Sequence, residues 1–296
     1  MATERGAGPA ASPKLVGQVA LIAGGARNIG REVALTFARA GADVAVAART
    51  PEQVDEAVAL LRQTGRRALG VACDLRDPED AFRLADAVER ELGPVDVLVN
   101  AVGGSAATMP SLLPADPTGE TRPDVALWRD IYELNVLTVV HTCAAVAPRM
   151  VGRGRGVIIN FGGGSGASSD MRTAPPDVRP FSPYSTSKAA VLRFSELLAW
   201  ELSAHGIRVN TLGPGLVPAL QPKRDVRGNW VPLPTGTPAA RARGPQDAAR
   251  LALFLASDDS AGLTGRHLDV GQDWPALIGH IPELMASDRL MLKRVI

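Results

Sequence analysis

The chain has 296 residues, 46% of them hydrophobic, with 32 basic and 31 acidic side chains and a formal net charge of +1. This is ample apolar material for one large core, and doubly wound α/β folds reach this size as single domains. The balanced charge sets up no long-range field, which argues against nucleic acid or an anionic membrane as partner. No uninterrupted apolar run approaches the ~18 residues of a membrane span.

Residues 1–14 are rich in Ala, Gly and Pro and lack an apolar core. They read as a disordered leader rather than a signal peptide, and the protein as cytoplasmic. From residue 15 onward, short apolar runs alternate with amphipathic stretches. Runs at 19–23, 44–48, 68–72, 95–99, 157–161 and 207–212, with a weaker one at 266–270, predict strands. Helical spacing covers 31–40, 52–63, 78–92, 128–150, 184–204 and 246–255, several ending just before a glycine that would serve as C-cap. Wholly apolar strands separated by helices imply a parallel sheet covered on both faces. Right-handed crossovers then favour a single-domain, doubly wound Rossmann fold of about seven strands over 15–273. Residues 274–296 read as an extension packing on the domain or on an oligomer partner.

Three polar, proline-rich stretches, 105–123, 162–183 and 218–244, follow the fourth, fifth and sixth strands. In an open α/β sheet those loops lie where ligands bind. Cys73 and Cys143 sit in apolar runs and read as buried, unreactive thiols. The four histidines are scattered, so no metal site is expected.

Two motifs carry chemistry. The first strand runs into Gly24-Gly25-Ala26-Arg27-Asn28-Ile29-Gly30. Glycines let a backbone turn tightly against a pyrophosphate, and a helix N-terminus favours negative charge. Such a turn alone does not separate nucleotide binding from a plain tight turn. The second motif is Tyr184-Ser185-Thr186-Ser187-Lys188. Tyr184 and Lys188, four residues apart, share a helix face. An ammonium beside a phenol lowers the cost of ionising it, so the pair can give a proton to a carbonyl oxygen or take one from an alcohol.

In this order, the two motifs resemble the short-chain dehydrogenase/reductase family, and the resemblance extends over most of 15–273. Its glycine motif falls on residues 23–30, with Gly24, Arg27, Asn28, Ile29 and Gly30 facing the cofactor. Its adenine contact falls on Asp74 and Leu75. The motif after strand four falls on Asn100, Ala101, Val102 and Gly103. A structural and catalytic asparagine falls on Asn135, the Tyr-x-x-x-Lys pair on Tyr184 and Lys188, and the Pro-Gly turn on Pro214 and Gly215, with Val217 beyond it. The resemblance implies a nicotinamide cofactor, a small-molecule carbonyl substrate and a homotetramer formed through the helices at 128–150 and 184–204.

The sequence also departs from the family. Asn28 replaces a glycine of the turn, which Asn's tolerance of positive φ permits. Ala219 stands where a threonine often holds the nicotinamide carboxamide. Where the family places its substrate-binding serine, the chain has Gly163, and Ser165 is the nearest hydroxyl. Ser165 is therefore a candidate replacement, against the plain reading of a loop serine bonded to its own backbone. At the end of the second strand Ala48-Arg49-Thr50 carries no acid. Arg49 and Arg27 suit a 2′-phosphate, so NADP(H) is the expected cofactor. The expectation is an NADPH-dependent reductase of a ketone or quinone, possibly a polyketide-type aromatic, with catalytic residues Tyr184, Lys188, Asn135 and Ser165. The alternative is a degenerate family member that binds NADP(H) without turnover, as a sensor or partner subunit.

Overall fold

A computed structural model describes residues 13–104, 125–163, 182–215, 223–224, 230–231 and 243–291. The elements alternate in chain order: β1 (Val19–Ala23), α1 (Asn28–Arg39), β2 (Asp43–Ala48), α2 (Pro51–Arg62), β3 (Ala68–Ala72), α3 (Pro78–Glu91) and β4 (Val97–Asn100). Then follow α4 (Val125–Tyr132), a π-helical turn (Glu133–Leu137), α5 (Thr138–Arg153), β5 (Gly156–Phe161), α6 (Ser182–Leu202) and β6 (Ile207–Gly213). A small antiparallel pair, β7 (Lys223–Arg224) and β8 (Trp230–Val231), precedes α7 (Pro245–Ala256), β9 (His267–Asp269) and α8 (Ile281–Met285).

Seven strands form one parallel sheet in the order β3-β2-β1-β4-β5-β6-β9. Order reverses between β1 and β4, and that switch point opens the crevice. Because strand side chains alternate with period two, Ala20, Ile22, Val97, Val99 and Ile159 face α1, α2 and α7. Leu21, Ala45, Leu98, Ile158 and Val209 face α3, α5 and α6. The continuous helical stretch Val125–Arg153 has the length and apolar composition of a membrane span. Its apolar side chains Leu127, Ile131, Val139, Val146 and Met150 are buried in the fold.

Just before β9, the buried Arg266 guanidinium donates to the carbonyls of Gly265, Leu284, Met285 and Ser287, and past β9 the Trp274 ring lies 5.0 Å from that of Phe254. Residues 274–291 thereby pack against this domain.

Two details differ from expectation. The helix expected at 128–150 contains a π turn, in which the Thr138 amide reaches back to the Glu133 carbonyl. The insertion leaves apolar periodicity almost unchanged, so the sequence pattern does not show it. Cys73 lies just past β3 and is only half-buried, whereas Cys143 is fully buried. Burial pushes both thiols up to about 12, and at Cys73 the carboxylates of Asp80 and Asp74 add to it.

Candidate active site

At the C-terminal ends of the central strands, the face toward α5 and α6 carries a row of polar residues. The register aligns Asn100 with Asn160, Asn160 with Thr211 and Thr211 with His267. The Asn100 side-chain amide donates to Asn160 Oδ1 at 2.9 Å and accepts from the Thr142 hydroxyl at 2.7 Å. Asn160 donates to Ser195 at 2.9 Å. Buried amides need such partners, and each satisfied pair fixes a strand end against its neighbour or against α5 and α6.

Above this row stands the Tyr184–Lys188 pair, on the first turns of α6. Lys188 is 3% exposed, and its Nζ donates to the Phe161 carbonyl at 3.0 Å. Nζ lies 6.0 Å from the Tyr184 ring centroid. Burial lowers the Lys188 ammonium to about 8 and raises the Tyr184 phenol above its usual range. The sequence suggested that Lys188 would lower the phenol. Here desolvation dominates instead, because the ammonium is held on a backbone carbonyl, so Tyr184 stays protonated at neutral pH.

Asn135 occupies the π turn and is fully buried. Its amide accepts from the Gly104 N–H at 2.8 Å and donates to the Gly104 carbonyl and to Ser187 Oγ, both at 3.0 Å. Ser187 in turn donates to the Tyr184 carbonyl at 2.7 Å. The loop after β4, the π turn and α6 are thus tied at one point. A Cβ on Gly103 would fall 2.9 Å from Lys188 Nζ, and one on Gly163 would fall 2.6 Å from Lys188 Cγ.

On the other side of the switch point, Gly24 turns with φ +81°, and a Cβ there would lie 3.0 Å from the Ala101 backbone. A Cβ on Gly30 would lie 2.1 Å from the Gly24 carbonyl oxygen, so only glycine lets α1 start this close to β1. Asn28 has φ 49°. Arg27, at the N-cap of α1, makes no side-chain cap hydrogen bond, which leaves the first amides of the helix open to an anion. Arg27 is half-buried and Arg49 exposed. Burial and the neighbouring Arg49 charge both lower the Arg27 guanidinium. Neither arginine makes an ion pair with another described residue.

A family model described as short chain dehydrogenase matches residues 18–224. The chain belongs to this family. An uncharacterised oxidoreductase of Mycobacterium tuberculosis is 37% identical over 92% of this chain and 98% of its own. The 7alpha-hydroxysteroid dehydrogenase of Escherichia coli is 32% identical over 87% and 94%. A solved structure of a 7alpha-hydroxysteroid dehydrogenase with NADH and 7-oxo glycochenodeoxycholic acid superposes with TM-score 0.69 and 30% identity, covering 87% of this chain and 94% of that one. As a short-chain dehydrogenase the protein is an oxidoreductase of nicotinamide-dependent hydride transfer on small molecules.

Of the residues the sequence singled out, the structure brings together Tyr184, Lys188, Asn135 and Gly103. Ser165 and Val217 lie outside the described residues. Gly24, Arg27, Asn28, Ile29 and Gly30 form the turn into α1, and Pro214 and Gly215 follow β6. The Asn100 side chain is taken up inside the polar row, so only its backbone is left for a ligand. Leu75 is buried, and its carbonyl faces His141 Nδ1 at 3.0 Å. Val102 packs against Leu127, Ile131 and Leu134.

Sequence reasoning missed Arg76 in this short-chain dehydrogenase. Its Nε lies 3.0 Å from both carboxylate oxygens of Asp74, and its Nη2 bonds one of them. Burial works to raise the Asp74 carboxyl, but the Arg76 hydrogen bonds and the charges of Arg76 and Arg49 hold it below its usual range. Spacing of two residues past a strand end is no signal by itself. The other missed residues converge only in the fold: Thr211, His267 and Asp269 through sheet register, and Thr142 and Ser195 through the packing of α5 and α6 on that face. Among the described residues no cluster of three or more His, Cys, Asp or Glu is placed to hold a metal ion.

Proposed function

We propose that this short-chain dehydrogenase is a cytoplasmic, NADPH-dependent reductase of a ketone or quinone, with Tyr184 as proton donor. The observation that carries the reading is a protonated, half-buried phenol beside a buried ammonium at the switch-point crevice. When bound, NADPH supplies the hydride that reduces the carbonyl carbon. Tyr184 gives its phenolic proton to the carbonyl oxygen, and the Lys188 ammonium stabilises the phenolate left behind. Asn135 holds the water through which that proton is replaced by way of Lys188.

The residues fit the cofactor. The uncapped N-terminus of α1, with Gly24, Asn28, Ile29 and Gly30, suits the pyrophosphate. Arg27 and Arg49, neither of them in an ion pair with a described acid, suit a 2′-phosphate. Asp74, Leu75, Asn100, Val102 and Gly103 line the adenosine and ribose path. Tyr184, Lys188, Pro214, Gly215 and Val217 hold the nicotinamide end. Gly163, pressed on the Lys188 stem, leaves no side-chain donor at that point. Ser165 takes the role, or the substrate is an electron-poor quinone or aromatic polyketide that needs less of it. Loss of one oxyanion donor otherwise costs ~3 kcal/mol. Leu197 and Trp200, exposed on α6, are consistent with a homotetramer formed through α5 and α6.

NADPH oxidation against a panel of ketones and quinones tests this reading, with calorimetry of NADPH and NADH alongside. Consumption with at least one carbonyl, and tighter binding of NADPH than NADH, is expected. Tight NADPH binding with no consumption across the panel would favour a binding subunit without turnover. Equal affinity for both cofactors would remove the 2′-phosphate assignment.

A further inference from the structure

We propose that His267 and Asp269 form a positioning pair beneath the Tyr184–Lys188 centre, wedged against Gly162 and Gly213 so that the Phe161 carbonyl stays on the Lys188 ammonium. The proposal rests on reading Tyr184 and Lys188 as the proton-transfer centre, but its test needs neither substrate nor turnover.

The pair ends the polar row. His267 stands opposite Thr211 in the sheet and Asp269 opposite Gly213. His267 Nδ1 lies 3.0 Å from the Thr211 hydroxyl, and Nε2 lies 3.3 Å from Asp269 Oδ2. The imidazole is 8% exposed. Its Cε1 would be 3.1 Å from a Cβ on Gly162 and equally 3.1 Å from one on Gly213. Asp269 Oδ1 would be 1.8 Å from the Gly213 Cβ, so no other residue fits at 213 while the carboxylate is there. Gly213 has given up its side-chain volume to the carboxylate and the imidazole, and Gly162 to the imidazole together with Leu192, whose Cδ1 would be 2.7 Å from a Cβ there.

Those glycines matter because of their neighbours. Gly162 directly follows Phe161, whose carbonyl holds Lys188, and precedes Gly163, which rests on the Lys188 stem. The Gly162 amide donates to the Leu212 carbonyl at 3.0 Å, and the Gly213 carbonyl accepts from Val270 at 3.0 Å. The wedge therefore fills the space beneath the β5 and β6 ends that flank the ammonium. Removing it opens room under residues 161–163 and lets water reach Lys188. The titratable groups in contact with this segment among the described residues are Tyr184, Lys188, His267 and Asp269.

The test is the pH dependence of Lys188 acylation by acetic anhydride, read by mass spectrometry on the whole chain. Lys188 is one of four lysines, and the half-exposed Lys14 serves as the internal reference. In the wild type the midpoint should fall at about 8. His267→Ala and Asp269→Ala should each raise it by roughly one unit, as renewed hydration favours the charged amine. Asp269→Asn, which keeps the shape, should stay near wild type. Gly213→Ala/Asp269→Ala, where a methyl takes the carboxylate's place, should return toward wild type. Thermal melts identify any variant that fails to fold, and if His267→Ala does, Asp269→Ala carries the comparison. An unmoved midpoint in the folded alanine variants would overturn the proposal. So would a shift in Asp269→Asn as large as in Asp269→Ala. NADPH binding by the wild type is measured separately, so a failure of the proposed function stays distinct from a failure here.

Discussion

At the ends of β1, β2 and β3 the chain presents backbone amides and guanidinium groups. At the ends of β4, β5, β6 and β9 it presents buried side chains bonded to one another. The first region is shaped by what is left out: Gly24 and Gly30 bring β1, α1 and the β4 loop together, and Arg27 and Arg49 make no ion pair with a described acid. The second is shaped by what is filled in: Asn100, Asn160, Thr142 and Ser195 satisfy one another in the dark, and Asn135 ties three elements at Gly104 and Ser187. A ligand that must enter and leave is met by open groups, whereas a proton donor that must be aimed is met by a floor of buried side chains held against one another.

This contrast predicts different failures on the two sides. Asn100→Ala removes partners of both Asn160 and Thr142 and should cost about 2–4 kcal/mol of stability. Denaturant titration should show the loss, with the slope of the transition unchanged. Arg49→Asp should leave stability nearly unchanged and weaken NADPH roughly 10–100-fold while hardly affecting NADH, because it removes a charge-assisted partner and adds repulsion. Calorimetry with both cofactors checks it, and equal losses would erase the distinction between the regions.

A smaller effect should appear with pH. Lys188, lowered to about 8 by burial, loses its proton below the usual value of 10.5. Turnover in the reducing direction should fall as pH rises through about 8, because the phenolate loses its cation. Lys188→Arg should move that limb upward, since a guanidinium stays charged. The linked effect on stability has the opposite sense. Between about 8 and 10.5 the unfolded chain still binds the proton that the folded chain has released. The Lys188 contribution to stability therefore increases with pH across that window.

Much of this was legible in the sequence. The seven strands appear within two residues of the apolar runs, because parallel strands covered on both faces leave little room for polar residues. Asn28 does adopt the positive φ that its place in a glycine turn suggested. What stayed hidden depends on contacts between distant elements. Asn100 read as a ligand residue, yet its amide serves the sheet, and only the register with Asn160 reveals this. His267 and Asp269 looked like scattered polar residues in a weak last strand. Gly162 and Gly213, against which they rest, carried no signal of their own. The two observations become one only when β5, β6 and β9 are set side by side. Arg76 was invisible for a related reason, since its bond to Asp74 needs the turn after β3 to bring them together.

Tyr184→Phe tests most directly whether Tyr184 is the acid of a carbonyl reduction. NADPH consumption with the best ketone of the panel should fall about 10²–10⁴-fold, the range for a lost general acid, in kcat rather than KM. NADPH affinity by calorimetry should stay within about twofold of wild type, because the hydroxyl acts in the transition state. A phenylalanine variant that reduces the ketone at the wild-type rate would contradict the mechanism and leave only the cofactor site standing.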